Sequence, residues 1–321
     1  MANITQSIRT SRNWQRTFHN QRELLIIWGV LLVLIIAASY LAPNFTNPRN
    51  IRNIITQSAA LALVSIGQTF VLLIAGIDIS VGSTISMVVT IMALMMAPTP
   101  ISMVLTIFVG LAAGSAVGLS NGLLVTKLRM SPFMVTLATL SIVQGLALVF
   151  SQTPPSILPR EFSPIFTGAI GPIPVPLLVV VGATLVATFI LRQTCFGRHV
   201  YAVGSNEHAT RLSGMATDRI KIAVYMISGF MAGFAGVFIA ARSRAGDPLI
   251  GTNFAFDSIT AVMLGGASLF GGRGTVYGTI AGVFIIAILG NMLNLMGVPS
   301  NFQFVLRGLL LILAVILYYR N

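Results

Sequence analysis

Charged side chains are scarce in this sequence, and acidic ones are the scarcest. Only 8% of the 321 residues are charged, and seven of these are Asp or Glu. About a quarter of the residues in a soluble domain are charged, whereas this chain is 55% apolar and has a mean hydropathy of +0.91. So few polar groups cannot cover a water-facing globule of this size. The sequence therefore predicts a polytopic membrane protein and excludes the ordinary soluble classes.

The net charge of +12 arises from 19 Lys and Arg residues. In a soluble chain such a charge would suggest nucleic acid as a partner. Here the basic residues are concentrated between the apolar runs, which is typical of the cytoplasmic loops of membrane proteins. We therefore expect a lipid membrane, and no nucleic acid, around this chain.

Cysteine and histidine are nearly absent. The single Cys195 excludes an intrachain disulfide and a cysteine-based metal site. His19, His199 and His208 lie outside the apolar runs, so no buried histidine metal site is expected. Because the sequence shows no nucleophile–base pair, a membrane enzyme is the least favoured functional class.

Ten apolar segments are candidates for membrane-spanning helices, which need about 20 residues each. They are 24–41, 51–75, 79–96, 101–125, 133–150, 173–192, 220–241, 257–270, 275–295 and 303–319. Four Arg residues precede the first run, so residues 1–23 are predicted to be a cytoplasmic tail. Ten spans return the C-terminus to the same side. The predicted fold is an all-α polytopic membrane protein with about ten transmembrane helices, in a single domain over 24–321.

The two halves of the chain repeat a pattern of glycines. Glycines recur at four-residue spacing in span four and again entering span nine, and a short proline-containing loop follows each span. Such faces let helix backbones approach closely, and packing is their favoured role. The sequence after span two reads AGIDISVG, and after span seven AGDPLIG. We predict two five-span halves, about 24–150 and 173–319, in opposite orientations, as inverted repeats.

The polar loop 193–219 contains the signals of a short helix. Ser205 is a suitable N-cap, Glu207 and His208 fall in the first turn, and Gly214 stands where a glycine commonly ends a helix. A solvated connector is the simpler interpretation of a charged loop. A capped helix held between two spans also offers a rigid surface to another protein.

Three stretches carry a family resemblance. YAVGSNEHATRLSG, AGIDISVGS and AVMLGGASLFGGRGTVYGT resemble the permeases of ATP-binding-cassette importers for ribose, xylose, galactofuranose and related small polar solutes. The similarity covers almost the whole chain. It implies a permease subunit in the bacterial cytoplasmic (inner) membrane, with both termini cytoplasmic, that forms the pathway for a small sugar delivered by an external binding protein.

The resemblance also implies partners and a role for the 205–214 helix. That helix would be the coupling helix, which seats in a separate ATPase subunit through Ser205, Asn206, Glu207, His208, Arg211 and Gly214. ATP and Mg²⁺ would bind to that ATPase. A second permease chain, identical or different, and a periplasmic or extracellular sugar-binding protein complete the expected assembly. The motif departs from the commoner importer pattern, because Glu207 precedes Gly214 by seven residues rather than six and His208 replaces an alanine.

No nucleotide site or cofactor is expected on this chain itself. The glycine-rich GGASLFGGRGT lacks the lysine of a phosphate-binding loop and its strand-to-helix context. It is predicted to be a turn that ends a helix. ATP hydrolysis is therefore assigned to the separate chain.

Polar residues within the spans are candidates for lining the pathway, since they are expensive in lipid. The candidates are Gln57, Ser65 and Gln68 on one face of span two, Asp78 and Ser80 before span three, Asp257 entering span eight, and Asn291 and Asn294 in span nine. Hydrogen bonding between helices explains the amides equally well. Asp257 is either an N-cap or a pathway group.

Asp78 allows two interpretations. As an acid inside the membrane it could serve an ion-coupled transporter or channel, which is the alternative function for the chain. Placed at the break between spans two and three, it could instead cap the first turn of span three. We favour capping over contact with solute, and a permease over an ion-coupled transporter, because a proton relay usually needs more than one buried ionisable group.

Overall fold

Nearly all of the regular secondary structure is helical. The computed structural model describes residues 24–151 and 158–299, together with 301–303, 305, 306, 308, 309 and 312. The predicted cytoplasmic tail and most of the predicted tenth span lie outside these residues. Within them, the sheet structure is one antiparallel pair of two-residue strands.

The elements run in the following order along the chain. They are α1 (Leu24–Leu41), α2 (Pro48–Leu73), α3 (Val81–Met95), α4 (Pro100–Lys127), α5 (Pro132–Phe150), α6 (Ser163–Thr167), β1 (Ala169–Ile170), β2 (Ile173–Pro174), α7 (Val175–Gln193), α8 (Cys195–Ser205), α9 (Glu207–Leu212), α10 (Thr217–Ser243), α11 (Phe254–Leu264) and α12 (Val276–Leu295).

Nine predicted spans appear as helices, and the all-α membrane fold is confirmed. Seven helices are long and apolar enough to cross a membrane, and α3 and α11 are shorter apolar helices. Helix α11 ends six residues before the predicted limit of 270, because Gly265 and Gly266 follow Leu264 and Gly266 has φ +90°. The glycine-rich 265–275 segment is a loop between α11 and α12, as predicted.

Two helices form the centre of the bundle. In α2, 83% of the spanning window is buried, compared with 17% in α1. Helix α10 packs on α2, α3 and α4, while α2 packs on α10, α11 and α12. A helix that is apolar all round belongs in an interior, whereas α1, α4, α5 and α7 leave much of their apolar surface to lipid or to other chains.

The glycine faces bring backbones into contact. A Cβ atom on Gly114 would meet the Gly229 carbonyl, and one on Gly118 would meet the Tyr225 carbonyl. These contacts join α4 to α10. On the other side of the bundle, Gly278 of α12 meets Gly265 in the same way. Their predicted role in packing is confirmed.

Many helix contacts join one predicted half of the chain to the other. Helix α2 of the first half packs on α11 and α12 of the second, and α10 of the second half packs on α3 and α4 of the first. The two halves are therefore intertwined about the α2–α10 contact. This exchange is what two inverted repeats would produce, and the repeat relationship itself stays a prediction.

The bundle has two distinct ends. At the first, which we call the cavity end, α2 and α11 begin and α10 and α12 finish. At the second, the α9 end, α2 finishes and α3, α10 and α12 begin, beside α8 and α9. There the Gly272 amide donates to the carbonyl of Leu73, 2.9 Å away, so the α11–α12 loop covers the end of α2.

Candidate functional site

A polar cavity opens at the cavity end of the bundle. Its volume is about 320 Å³, and α2, α11 and α12 form most of its wall. Eight polar side chains line it: Gln57, Ser58, Arg242, Asn253, Asp257, Asn291, Asn294 and Gln303. Amides outnumber charges, and one acid stands against one base. This is a wall suited to an uncharged ligand with several hydroxyl groups, because amides both donate and accept hydrogen bonds.

Four of the eight predicted pathway residues meet here. Gln57 lies on α2, Asp257 lies on α11, and Asn291 and Asn294 share a face of α12. The spans that carry them are far apart in the sequence. Their convergence comes from the packing of α2 against α11 and α12.

Asn291 also joins two helices. Its side-chain amide donates to Asn50 Oδ1 over 2.9 Å, and the Asn50 amide returns a bond of 3.0 Å to Asn291 Oδ1. This reciprocal pair ties the start of α2 to the end of α12. Asn291 therefore both forms hydrogen bonds between helices and lines the cavity.

Asp257 is not an N-cap, contrary to one of the two predictions made for it. Helix α11 begins at Phe254 after Asn253, so Asp257 lies within the first turn. A carboxylate in this position is favoured by the partial positive charge of the helix N-terminus. Its other predicted role, as a group on the cavity wall, matches its position.

Ser65 and Gln68 are separated from Gln57 by burial. Both are fully buried, so they do not line the open cavity in this conformation, and their predicted place on the pathway stays a prediction. Leu61 forms part of the cavity wall between them and Gln57. Within the described part of the chain, the Ser65 hydroxyl and both amide atoms of Gln68 have no hydrogen-bond partner.

Asp78 lies in a buried polar cluster at the α9 end. It is 1% exposed. Its Oδ1 accepts from the Ser80 amide at 3.1 Å and the Ser80 hydroxyl at 2.6 Å, and its Oδ2 accepts from the Ser228 hydroxyl at 2.8 Å. The Asn121 amide donates to Ser80 Oγ over 2.8 Å. The cluster links α3, α4 and α10 through one carboxylate.

This geometry corrects the capping prediction for Asp78. The side chain satisfies the N–H of Ser80, which is the N-cap residue of α3, and none in the first turn. Asp78 and Ser80 are both buried among helices, so neither lines an open pathway here. Asn121 and Ser228, which complete the cluster, were not among the residues predicted from the sequence. Asn121, a polar residue on the glycine face of α4, was the available signal.

The polar loop 193–219 holds two helices where one was predicted. Ser205 is the last residue of α8 and not an N-cap. The cap of α9 is Asn206, whose side chain accepts from the Ala209 amide at 2.9 Å. Gly214 follows α9 with φ +81°, as its predicted position requires. An asparagine is as good an N-cap as a serine, so the sequence alone did not separate the two.

Ion pairs hold α9 against α10. Lys221 Nζ lies 2.6 Å from Glu207 Oε2, and Arg211 Nη2 lies 2.7 Å from Asp218 Oδ1. Arg211 also lies 3.3 Å from Glu207 Oε1. Beside this network is a second cavity of about 300 Å³, which Arg129 of the α4–α5 loop also lines. Through these ion pairs, α9 is connected to α10, which packs on α2, α3 and α4 at the centre of the bundle.

The outer surface of α9 remains open. His208 and Arg211 are exposed, and Leu212 is 76% exposed. The Thr210 hydroxyl donates to the carbonyl of Ala202 over 2.9 Å and fixes α9 on α8. Helix α8 is anchored in turn, because the Tyr201 hydroxyl donates to the carbonyl of Gly274 over 2.8 Å. Burial raises the pKa of this Tyr201 hydroxyl above its ordinary value.

Comparison with known proteins identifies the family. A family model described as the permease component of the branched-chain amino acid transport system matches residues 50–315. The chain belongs to this permease family. Its predicted role as the permease subunit of an ATP-binding-cassette transporter is confirmed, and so is the prediction that such a subunit is not an enzyme.

Several relatives are similar over nearly their whole length. The ribose import permease of Bacillus subtilis is 39% identical over 89% of this chain and 90% of its own. That of Escherichia coli K12 is 35% identical over 97% and 98%. The L-arabinose permease of an Azospirillum brasilense ABC transporter is 36% identical over 91% and 87%. No solved structure matches the chain.

Proposed function

We propose that this permease carries a small uncharged sugar, of the size of a pentose, in an ATP-driven importer. The observation that carries the proposal is the amide-rich wall of the cavity at the end of α2, α11 and α12. Relatives named for ribose and for L-arabinose support the same class of solute. The sugar would enter through this cavity along Gln57, Asp257, Asn291 and Asn294.

The α9 end is assigned to the cytoplasm. Basic residues of the described loops and helix ends are more numerous there, as expected for the cytoplasmic side. They are Lys127, Arg129, Arg192, Arg198, Arg211, Arg219, Lys221 and Arg273, against Arg49, Arg52, Arg160, Arg242 and Arg244 at the cavity end. A bacterial inner-membrane location with cytoplasmic termini agrees with this orientation.

Helix α9 is proposed to contact a separate ATPase. It exposes His208 and Leu212 to solvent, while the ion pairs of Glu207 and Arg211 would pass any displacement to α10. ATP and Mg²⁺ would bind to that ATPase and not to this chain. Ser205 and Asn206 belong to the junction of α8 and α9, and Gly214 ends the contact region.

The remaining partners are assigned to the other surfaces. An external sugar-binding protein would dock at the cavity end and release its sugar into the cavity. A second permease chain, identical or different, would cover part of the apolar surface of the bundle. The alternative of an ion-coupled transporter gains no support from Asp78, whose carboxylate is already occupied by three hydrogen-bond donors.

Transport by the reconstituted chain tests the proposal. The chain, co-expressed with candidate ATPases and binding proteins encoded beside it, is purified and placed in liposomes. We expect uptake of a radiolabelled pentose only with ATP, the ATPase and the binding protein together. Uptake driven by an ion gradient without an ATPase would contradict the proposal.

A charge exchange tests the role of α9. Glu207→Lys and Lys221→Glu should each lower sugar-stimulated ATP hydrolysis, because each replaces the 2.6 Å ion pair by two like charges. The double variant should recover most of the stimulation. Lys127→Glu, which changes an exposed basic residue at the same end, serves as the control. Equal activity in both single variants and the wild type would show that the α9–α10 pair is not needed for coupling.

A further inference from the structure

The cavity stops above a buried polar pair on the same face of α2. Gln57 lines the cavity, and Gln68 lies eleven residues further along the helix. Eleven residues are close to three full turns, so the two side chains share a face about 16 Å apart. Ser65 lies one turn before Gln68 on this side. The face therefore continues from open cavity into closed interior without a change of direction.

Gln68 is an unusual residue for a closed interior. It is 0% exposed, and neither its amide oxygen nor its amide nitrogen has a partner among the described residues. The buried Ser65 hydroxyl also has no hydrogen-bond partner among these residues. Buried polar groups in native proteins are nearly always hydrogen-bonded, so a group that is not requires an explanation. The neighbouring Thr69, by contrast, is paired with Thr279 of α12 over 2.7 Å.

Leu61 separates the two levels. Its side chain is part of the cavity wall on the α2 side, and it is nearly buried itself. Helix α11 packs against α2, and its Phe254 and Asp257 line the same cavity as Leu61. Both connections of α11 are irregular: the 244–253 segment precedes it, and the 265–275 loop with four glycines at positive φ follows it.

We propose that Ser65 and Gln68 form a second, occluded binding level for a neutral polyhydroxylated solute. The level is closed in this conformation and opens when α11 separates from α2 below Leu61. The amide of Gln68 offers a donor and an acceptor, and the hydroxyl of Ser65 offers both, so sugar hydroxyls are the matching groups. The proposal rests on the proposed function and adds an order to the pathway: the cavity first, then this level.

Cysteine labelling tests whether this face opens. Cys195 is exposed and is first replaced, Cys195→Ser. Gln57→Cys, Gln68→Cys and Thr69→Cys are then made singly in the assembled complex. N-ethylmaleimide labelling rates are measured without nucleotide, with ATP, and after trapping with ATP and vanadate. We expect the Gln57→Cys variant to react in the open cavity. The Gln68→Cys variant should react about tenfold faster in one nucleotide state than without nucleotide.

The Thr69→Cys variant is the matched control. It lies at the same depth and is equally buried, but it faces α12 through Thr279. Its labelling should stay slow in every state. Equal rates for the Gln68→Cys and Thr69→Cys variants in every state, in complexes that still transport, would overturn the proposal.

Gln68→Leu separates a role in transport from a role in stability. The change removes two unpaired polar atoms from the interior and keeps the size of the side chain. We expect an unchanged or raised melting temperature together with sugar uptake lowered about tenfold. Unchanged uptake would overturn the proposal. If the unaltered complex takes up no sugar, the proposed function fails, whereas the labelling rates still report whether the level opens.

Discussion

The α2–α3 and α10–α11 connections both contain an Ala-Gly pair, at residues 75–76 and 245–246, followed by an Asp that accepts a bond from the amide two residues ahead. In the first, Asp78 accepts a bond from the amide two residues ahead at 3.1 Å. In the second, Asp247 accepts from the Leu249 amide at 2.9 Å. Asp78 is 1% exposed and bonded to the hydroxyls of Ser80 and Ser228, whereas Asp247 is exposed.

The difference arises from what covers each turn. Over the first connection, α4 and α10 meet through their glycines, and they bring Ser228 to Asp78 and Asn121 to Ser80. The second connection lies at the cavity end, where Gly251 donates to Ser86 Oγ over 3.0 Å and the acid stays in contact with solvent. One local sequence pattern therefore serves as a buried link between three helices in one half and as a surface turn in the other.

Replacing the two acids by leucine should show the largest contrast. Asp78→Leu leaves three donors without their acceptor, and we expect a loss of about 3 kcal/mol or more. Asp247→Leu, its counterpart on the surface, should change stability by about 0.5 kcal/mol. Melting of both variants in detergent, followed by size-exclusion chromatography, measures the difference. Similar losses in both would show that burial does not distinguish the turns.

Opening the cover over Asp78 should have the next largest effect. Gly118→Val places a side chain against the Tyr225 carbonyl and forces α4 away from α10. We expect a loss of about 1–3 kcal/mol, as for other overpacked interiors. Gly145→Val in α5 is the control, since a Cβ atom there meets nothing within 4 Å. The melting temperatures of the two variants measure the difference. Equal values would contradict the close approach of α4 to α10 at Gly118.

Removing a single bond from the buried cluster should have a smaller effect. Ser228→Ala deletes the 2.8 Å bond to Asp78 Oδ2, and a loss of about 1 kcal/mol is expected. Ser258→Ala removes an equally buried hydroxyl whose bond, within the described residues, goes to the carbonyl of Ala255 in its own helix. The comparison isolates the bond between helices. A larger loss of stability for Ser258→Ala than for Ser228→Ala would show that the bond between Ser228 and Asp78 contributes little to the stability of the fold.

The smallest effect is expected for Asp78→Asn. An asparagine keeps an oxygen for the Ser80 amide and hydroxyl, so assembly and sugar uptake should remain close to those of the wild type. Uptake into liposomes and recovery of the assembled complex are the measurements. Loss of uptake in a fully assembled complex would show that the negative charge itself is required, and would revive the ion-coupled alternative.

Much of the candidate site could be predicted, because helix periodicity shows which residues share a face. It paired Asn291 with Asn294, and it placed Gln57 on the same side as Gln68. Periodicity does not show which neighbour covers that face at each depth. Gln57 consequently lies on an open wall, while Gln68, on the same face, is closed in. Similarly, N-cap propensity alone could not show whether α9 is capped by Ser205 or by Asn206, because the two residue types cap helices about equally well.

By itself, the sequence determined the membrane class, nine of the helices and the glycine faces, because these depend on composition and on spacing along one helix. Tertiary structure decided the environment of each polar group. The polar residues of α2, α11 and α12 form a cavity because those helices converge at one end of the bundle. Asp78 and Asp247 differ because α4 and α10 close over one turn and leave the other open, and contacts between distant segments are not encoded in local spacing.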